Sequence, residues 1–174
     1  MLTQVDLHCL KTCLLAARHL SPGVRCHVNL FPSTLLDTPV ERVIELFPHG
    51  PSLPRFCVEL SEQQFIGDPT ALRAPVRALK QAGLHVAVDD AGFGRGSIET
   101  LVLLEPDVIK VDPRYVQGVA GDRAKRRSLR RMVEAAGAIG GELVAEGIET
   151  RADLAVLRDL GIPLGQGFLW SRPD

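Results

Sequence analysis

Two periods of apolar residues alternate along the chain. Short runs that are β-branched or alternate apolar with polar recur at Val24–Leu30, Arg55–Glu62, His85–Asp90, Val108–Asp112 and Leu143–Glu149, with a weaker one at Pro163–Trp170. Each reads as a strand. Helical spacing fills the intervals: Leu2–Leu20, Pro39–Phe47, Asp68–Ala82, Ser97–Leu104, Arg123–Ile139 and Arg151–Leu160. In the first of these, Leu7, Leu10, Cys13, Leu14 and Ala17 are spaced for one face. Ser21-Pro22-Gly23, the loop Pro48–Pro51, Gly83, Pro106, Gly140-Gly141 and Gly161 stop the elements, while Asp68 and Thr150 are placed as caps. Strand and helix in alternation predict an α/β fold, a parallel sheet flanked by helices.

Each strand ends on a polar residue that a buried sheet does not favour: Asn29, Glu59, Asp89, Lys110, Glu146 and Gln166. A doubly wound sheet gathers its ligands at one crossover. A (β/α) barrel presents the carboxyl ends of all its strands at one rim, which fits six polar ends better. The expectation is a TIM-barrel-like fold. An eight-stranded barrel typically needs about 250 residues, and 174 residues with six βα steps fall short of that. The chain therefore reads as one incomplete domain over residues 1–174, lacking its N-terminal strands. Its missing start is expected from an upstream segment, a partner chain, or nowhere, in which case the sheet stays open and its edge invites self-association.

Composition changes this picture little. The residues are 45% hydrophobic and the formal net charge is -1, which offers no bulk attraction to a nucleic-acid polymer or a membrane surface. No apolar run approaches the roughly 18 residues of a membrane span, so a cytoplasmic chain without membrane insertion is expected. Cys9, Cys13, Cys26 and Cys57 match no redox or zinc spacing and read as reduced core thiols. The basic run Arg123–Arg131 reads as the solvated face of a helix. Phe168 and Trp170 suit either base stacking or core filling.

The rim residues have a chemistry in common. Glu59, Asp89, Asp90 and Glu146, converging with Asn29 around one lysine, cannot all stay ionised without added positive charge. An all-oxygen donor set suits magnesium, manganese or calcium rather than zinc. With Asp89 bridging, two ions about 4 Å apart have room, the arrangement that clamps both oxygens of a phosphoester in hydrolysis. Lys110 is placed to hold or deprotonate a water there. Taken singly, each residue is as consistent with a loop-edge acid or a salt-bridged lysine.

The series Val28-Asn29-Leu30, Glu59-Leu60-Ser61-Glu62, Asp89-Asp90-Ala91-Gly92-Phe93-Gly94, Ile109-Lys110-Val111-Asp112, Ala145-Glu146-Gly147-Ile148-Glu149-Thr150 and Gln166-Gly167-Phe168 resembles the EAL domain of cyclic-di-GMP phosphodiesterases. The resemblance runs from about Val24 to Pro173, in family order. It implies a modified TIM barrel that linearises cyclic di-GMP to pGpG with two Mg2+ or Mn2+ ions. It further implies Asn29, Glu59 and Asp89 as ligands of a first ion, Asp89 bridging, and Asp90 as ligand of a second. Lys110 would engage the nucleophilic water and Glu146 would complete the acidic cluster. Asp112, Glu149 and Gln166 are supporting positions, and Glu62 matches a glutamate that steadies the loop after the third strand.

Two departures accompany the resemblance. The chain contains no Glu-Ala-Leu tripeptide, the motif whose glutamate binds the first ion in the family. The loop usually written Asp-Asp-Phe-Gly-Thr-Gly has Ala91 for Phe and Phe93 for Thr, and this loop couples metal binding to homodimerisation in the family. A catalytically silent module that binds cyclic di-GMP or a protein partner is the alternative. A metal-dependent barrel enzyme of enolate chemistry, which also needs rim acids and a lysine, is a weaker one.

Overall fold

A computed structural model describes residues 1–50, 55–65, 68–92 and 97–172. Six strands form one sheet whose order follows the chain. The molecule is organised as two compact units, Met1–Ala87 and Val88–Asp174.

In the first unit, helix α1 (Leu2–Ala17) buries Asp6, Leu10, Leu14 and Ala17. Leu10, Leu14 and Ala17 of the expected face are buried, whereas Leu7 is only half-buried and Cys13 is exposed. The core-thiol expectation is corrected accordingly, since Cys9 is also exposed, Cys26 is intermediate and Cys57 alone of the four is buried. Asp6 replaces an apolar residue in the stripe for a stated reason. Its carboxylate accepts the Phe31 N–H at 2.9 Å, at the entry of a short helix, α2 (Pro32–Asp37). Six residues are too few for a period to announce α2 in advance. A further short helix, α3 (Val40–Ile44), occupies the middle of the expected Pro39–Phe47 segment.

Strands β1 (Arg25–Asn29) and β2 (Arg55–Ser61) pair in parallel, with Asn29 opposite Glu59. Five consecutive buried residues in β2 mark a strand covered on both faces. The Asp68 carboxylate accepts the Thr70 N–H at 2.9 Å and opens a single 3-10 turn, Pro69–Leu72. Helix α4 (Arg73–Gln81) follows, and Gly83, at φ +83°, turns the chain toward the next strand.

Strand β3 (His85–Ala91) leads into the second unit, which holds α5 (Ser97–Leu104), β4 (Val108–Val111), α6 (Pro113–Val116), α7 (Arg123–Ile139), β5 (Glu142–Ala145), α8 (Arg151–Asp159) and β6 (Leu164–Gly165). Strand β5 pairs in parallel with β4 on one side and β6 on the other. The fifth strand stops at Ala145 rather than Glu149, because Gly147 (φ +67°) leaves the extended region. The sixth is two residues long, and Phe168 and Trp170 are exposed, so neither fills the core. Helix α7 starts where Asp122 accepts the Ala124 and Lys125 N–H groups and stops at Gly140 in the left-handed region. Its basic run is only partly a solvated face. Arg123, Arg127, Arg130 and Arg131 are exposed, whereas Lys125 and Arg126 bond backbone carbonyls of the preceding loop. Among the described residues no helix is long and apolar enough to cross a membrane.

Thr34, in α2, is wholly buried and its hydroxyl has no hydrogen-bond partner. Replacing an unsatisfied hydroxyl by a methyl of the same shape removes a desolvation cost and no bond. Thr34→Val is therefore expected to leave unfolding free energy unchanged or raise it by about 1 kcal/mol in a denaturant titration. A loss of similar size would contradict the assignment.

Candidate metal centre

The second unit gathers its chemistry at the carboxyl ends of β3, β4 and β5. Lys110 lies in the last full turn of pleat in β4, and its Nζ sits 3.0 Å from Asp89 Oδ1 and 2.9 Å from Glu146 Oε1. Lys110 and Glu146 are each only 8% exposed. Oxygens of Asp89, Asp90 and Glu146 lie within 4.8 Å of one another. Adjacent residues of a strand normally point to opposite faces. Asp90 escapes that rule by adopting φ +55°, a region that costs most non-glycine residues energy and that Asp tolerates better than most. The Asp90 N–H then donates to Asp89 Oδ1 at 2.9 Å, which holds the turn and aims one carboxylate.

Gln166 completes this cluster by donating its side-chain N–H to Glu146 Oε1. Ionised carboxylates this close oppose one another, and the Lys110 ammonium sits against two of the three. The donors are all oxygen. They fit a hard divalent ion and not a thiophilic one.

In the first unit Asn29 and Glu59 lie side by side at the ends of β1 and β2. Glu59 is 5% exposed and pairs with His27 Nδ1 at 2.7 Å. His27 was not foreseen as part of this group. The available signal was the two-residue spacing from Asn29, which puts both side chains on one face of β1.

Two supporting positions turn out to have structural work of their own. Asp112 is buried and faces Arg114: its carboxylate accepts the Arg114 backbone N–H at 2.7 Å, Nε at 2.8 Å and Nη2 at 2.5 Å. Burial pushes its carboxyl pKa up, but the Arg114 hydrogen bonds and charge outweigh this and hold it below the ordinary carboxylate value. It thereby caps α6, whose Tyr115 ring packs 3.1 Å from where a Cβ on Gly92 would stand. Glu149 accepts from Gln117 Nε2 at 3.2 Å. Both line a pocket of about 600 Å3 whose wall also includes Pro113, Glu146, Gln166 and Phe168. The Arg172 guanidinium stacks 5.3 Å from the Phe168 ring centre at the same pocket. Glu62 forms a 3-10 turn after β2, but the loop it is expected to steady, Phe93–Gly96, lies outside the described residues. The expected dimer contact through that loop lies outside them too.

The family model described as EAL domain matches residues 1–173, which extends the likeness through α1. A protein of Escherichia coli K12 named probable cyclic di-GMP phosphodiesterase PdeA is 32% identical over 154 residues, 87% of this chain and 21% of that protein. The chain spans about a fifth of the length of the first curated relatives it matches. Among solved structures, the calcium/cy-diGMP complex of Klebsiella pneumoniae BlrP1 matches with a TM-score of 0.87 at 30% identity, covering 98% of this chain and 44% of that one. The manganese/cy-diGMP complex of the same protein at pH 6 matches at 0.86, also at 30% identity and with the same coverage. The EAL domain of Mycobacterium smegmatis DcpA matches at 0.78 and 29% identity, covering 94% of this chain and 77% of that one. The architecture is accordingly TIM-barrel-like and incomplete, with six strands among the described residues where a full barrel has eight.

The depressed pKa of Asp112 carries a sign. Its stabilising contribution is complete above the unfolded carboxylate value of about 3.9 and is lost as pH falls through the lower folded value. Asp112→Asn is expected to destabilise by about 1.5–3 kcal/mol at pH 7, the usual range for hydrogen bonds to a charged group, with the gap narrowing toward pH 3. Urea unfolding at both pH values measures it, and a gap that does not narrow contradicts the role.

Proposed function

The chain belongs to the EAL domain family, and from that premise we propose that both units form one EAL domain acting on cyclic di-GMP, opening it to linear pGpG. The observation that carries the proposal is the Lys110 ammonium held between Asp89 and Glu146, with Asp90 turned into the same space. In this reading Asn29, Glu59 and Asp89 would hold one divalent ion, and Asp90 would serve a second. Mg2+ or Mn2+ in those places would supply Lewis-acid charge to the phosphoester oxygens.

The chain's own residues do the rest. Lys110 can donate hydrogen bonds to a water near the scissile phosphorus while Asp89 and Glu146 keep its flexible stem in one rotamer. Gln166 fixes the oxygen of Glu146 that faces Lys110. The attacking water's oxygen bonds to phosphorus and gives up one proton, the P–O3′ bond breaks, and one proton is delivered to the leaving 3′ oxygen, so that protons balance. The adjoining pocket, about 600 Å3, is within the range of small-molecule sites and offers an aromatic face and a guanidinium at Phe168 and Arg172. Complexes of relatives with cy-diGMP support this ligand.

The test is a hydrolysis assay of the full chain with cyclic di-GMP and Mn2+, paired with calorimetric binding. Wild type is expected to yield pGpG, and Lys110→Ala to lose at least about a hundredfold in rate, the lower end for removing one preorganised hydrogen-bond donor, while still binding nucleotide. Binding without product in the wild type would leave a sensor module and overturn the hydrolytic reading. Undiminished turnover in Lys110→Ala would overturn the assigned role of the lysine.

A further inference from the structure

Residues 117–120 form a loop between α6 and α7, and charged side chains of α7 and α8 bond several of its backbone groups. Lys125 Nζ donates to the Gln117 carbonyl at 2.6 Å. Arg126 Nε donates to the Val119 carbonyl at 3.0 Å, and its Nη2 donates to the Ala120 carbonyl. From α8, Asp153 accepts the Gly118 N–H at 3.2 Å on one oxygen and the Ala120 N–H at 2.9 Å on the other. Asp153 is 3% exposed.

Asp153 stands in the position where a capping box would turn its carboxylate back to the start of its own helix. It does half of that task. The Thr150 hydroxyl accepts the Asp153 N–H at 3.0 Å and donates to Asp153 Oδ2 at 2.7 Å. The rest of the carboxylate reaches across to the loop. A nearly buried acid is costly unless its lone pairs are filled, and three donors fill them here. Burial raises its pKa, but those three hydrogen bonds and the nearby Lys125 prevail and leave it below the ordinary value. The carboxylate is therefore a charged, directional fastener.

What the loop carries is the pocket. Gln117 lines it and donates to Glu149 on the facing side. Gly147, in the turn after β5, approaches Pro113 so closely that a Cβ there would meet the Pro113 Cβ at 2.7 Å and Gln117 Nε2 at 3.3 Å. There is no slack in that contact. Loosening the loop would displace the Gln117 wall of the pocket. The metal-facing end of α6 has its own independent fastening, Asp112 to Arg114.

We propose that Asp153, aided by Lys125 and Arg126, is a positioning residue that holds the Gln117 wall of the pocket in its ligand-binding conformation, so that nucleotide affinity depends on this clamp while ion binding does not. The inference rests on the assignment of the pocket to cyclic di-GMP. Asp153→Asn keeps the shape but sets an amide N–H2 where two backbone N–H groups need acceptors. Gly118→Ala strains the same loop by another route, because Gly118 has φ +74° and an added methyl meets nothing within 4 Å.

Both variants and wild type are to be titrated with cyclic di-GMP in the presence of Ca2+, and separately with Mn2+ alone by electron paramagnetic resonance. The expected result is a nucleotide Kd raised about tenfold in each variant, equivalent to about 1.4 kcal/mol, with the Mn2+ affinity unchanged. Unchanged nucleotide affinity in folded Asp153→Asn overturns the inference and leaves the pocket assignment standing. Parallel loss of Mn2+ and nucleotide binding overturns it as well, since the clamp would then be a general support. A wild-type chain that binds no cyclic di-GMP overturns the pocket assignment and this inference with it.

Discussion

An ammonium group held between two carboxylates, with a third acid alongside, is the interaction on which the rest of the second unit depends. Lys110 brings one positive charge to oxygens of Asp89 and Glu146 that are largely removed from water. Each partner alone would be costly to bury. Together with Lys110 they satisfy one another, and Asp90 brings a further oxygen into the same space. A protein that needed only stability would do as well with apolar residues at these positions. What an apolar replacement would lack is a set of hard oxygen donors.

The fold meets this demand by controlling turns rather than strands. Parallel pairing puts the ends of β4 and β5 side by side, but the side chains that matter sit at or just beyond those ends. Asp90 reaches the cluster only through a positive φ, and Glu146 is followed at once by a glycine whose conformation and close contact with Pro113 exclude a side chain. Helix α6 touches both turns, through Tyr115 at Gly92 and Pro113 at Gly147. It is one turn long and has little stability of its own. Capping by Asp112 and Arg114 at one end, and the grip of Asp153, Lys125 and Arg126 on the loop beyond the other, supply what it lacks.

Much of this was legible in the residues, for identifiable reasons. The ends of α5 and α7 follow from the stop signals Pro106 and Gly140-Gly141, and the Asp68 and Thr150 caps were readable because short polar side chains before a helical period have few other uses. The six polar strand ends were visible because each interrupts an apolar run. Strand ends past a glycine were not: Gly147 and Gly167 allow geometries that periodicity cannot report, and β5 and β6 are shorter than their apolar runs. Leu10, Leu14 and Ala17 on the buried stripe of α1 were legible, but Asp6 was not, because it is a polar residue that serves the Phe31 N–H at the entry of α2. Asp153 was passed over for a related reason. As a helix-start acid it is ordinary in sequence, and only the arrival of Gly118 and Ala120 from another element makes it a fastener.

The central claim is that the carboxylates gathered around Lys110 hold divalent ions. Crystals of the full chain grown with Mn2+, with data collected at the manganese absorption edge, address it directly. The account predicts anomalous peaks at roughly 2.1 Å, the spacing of a small hard cation, from oxygens of Asp89 and Asp90. Peaks elsewhere, or none at saturating Mn2+ with the Lys110 contacts to Asp89 and Glu146 intact, would contradict it.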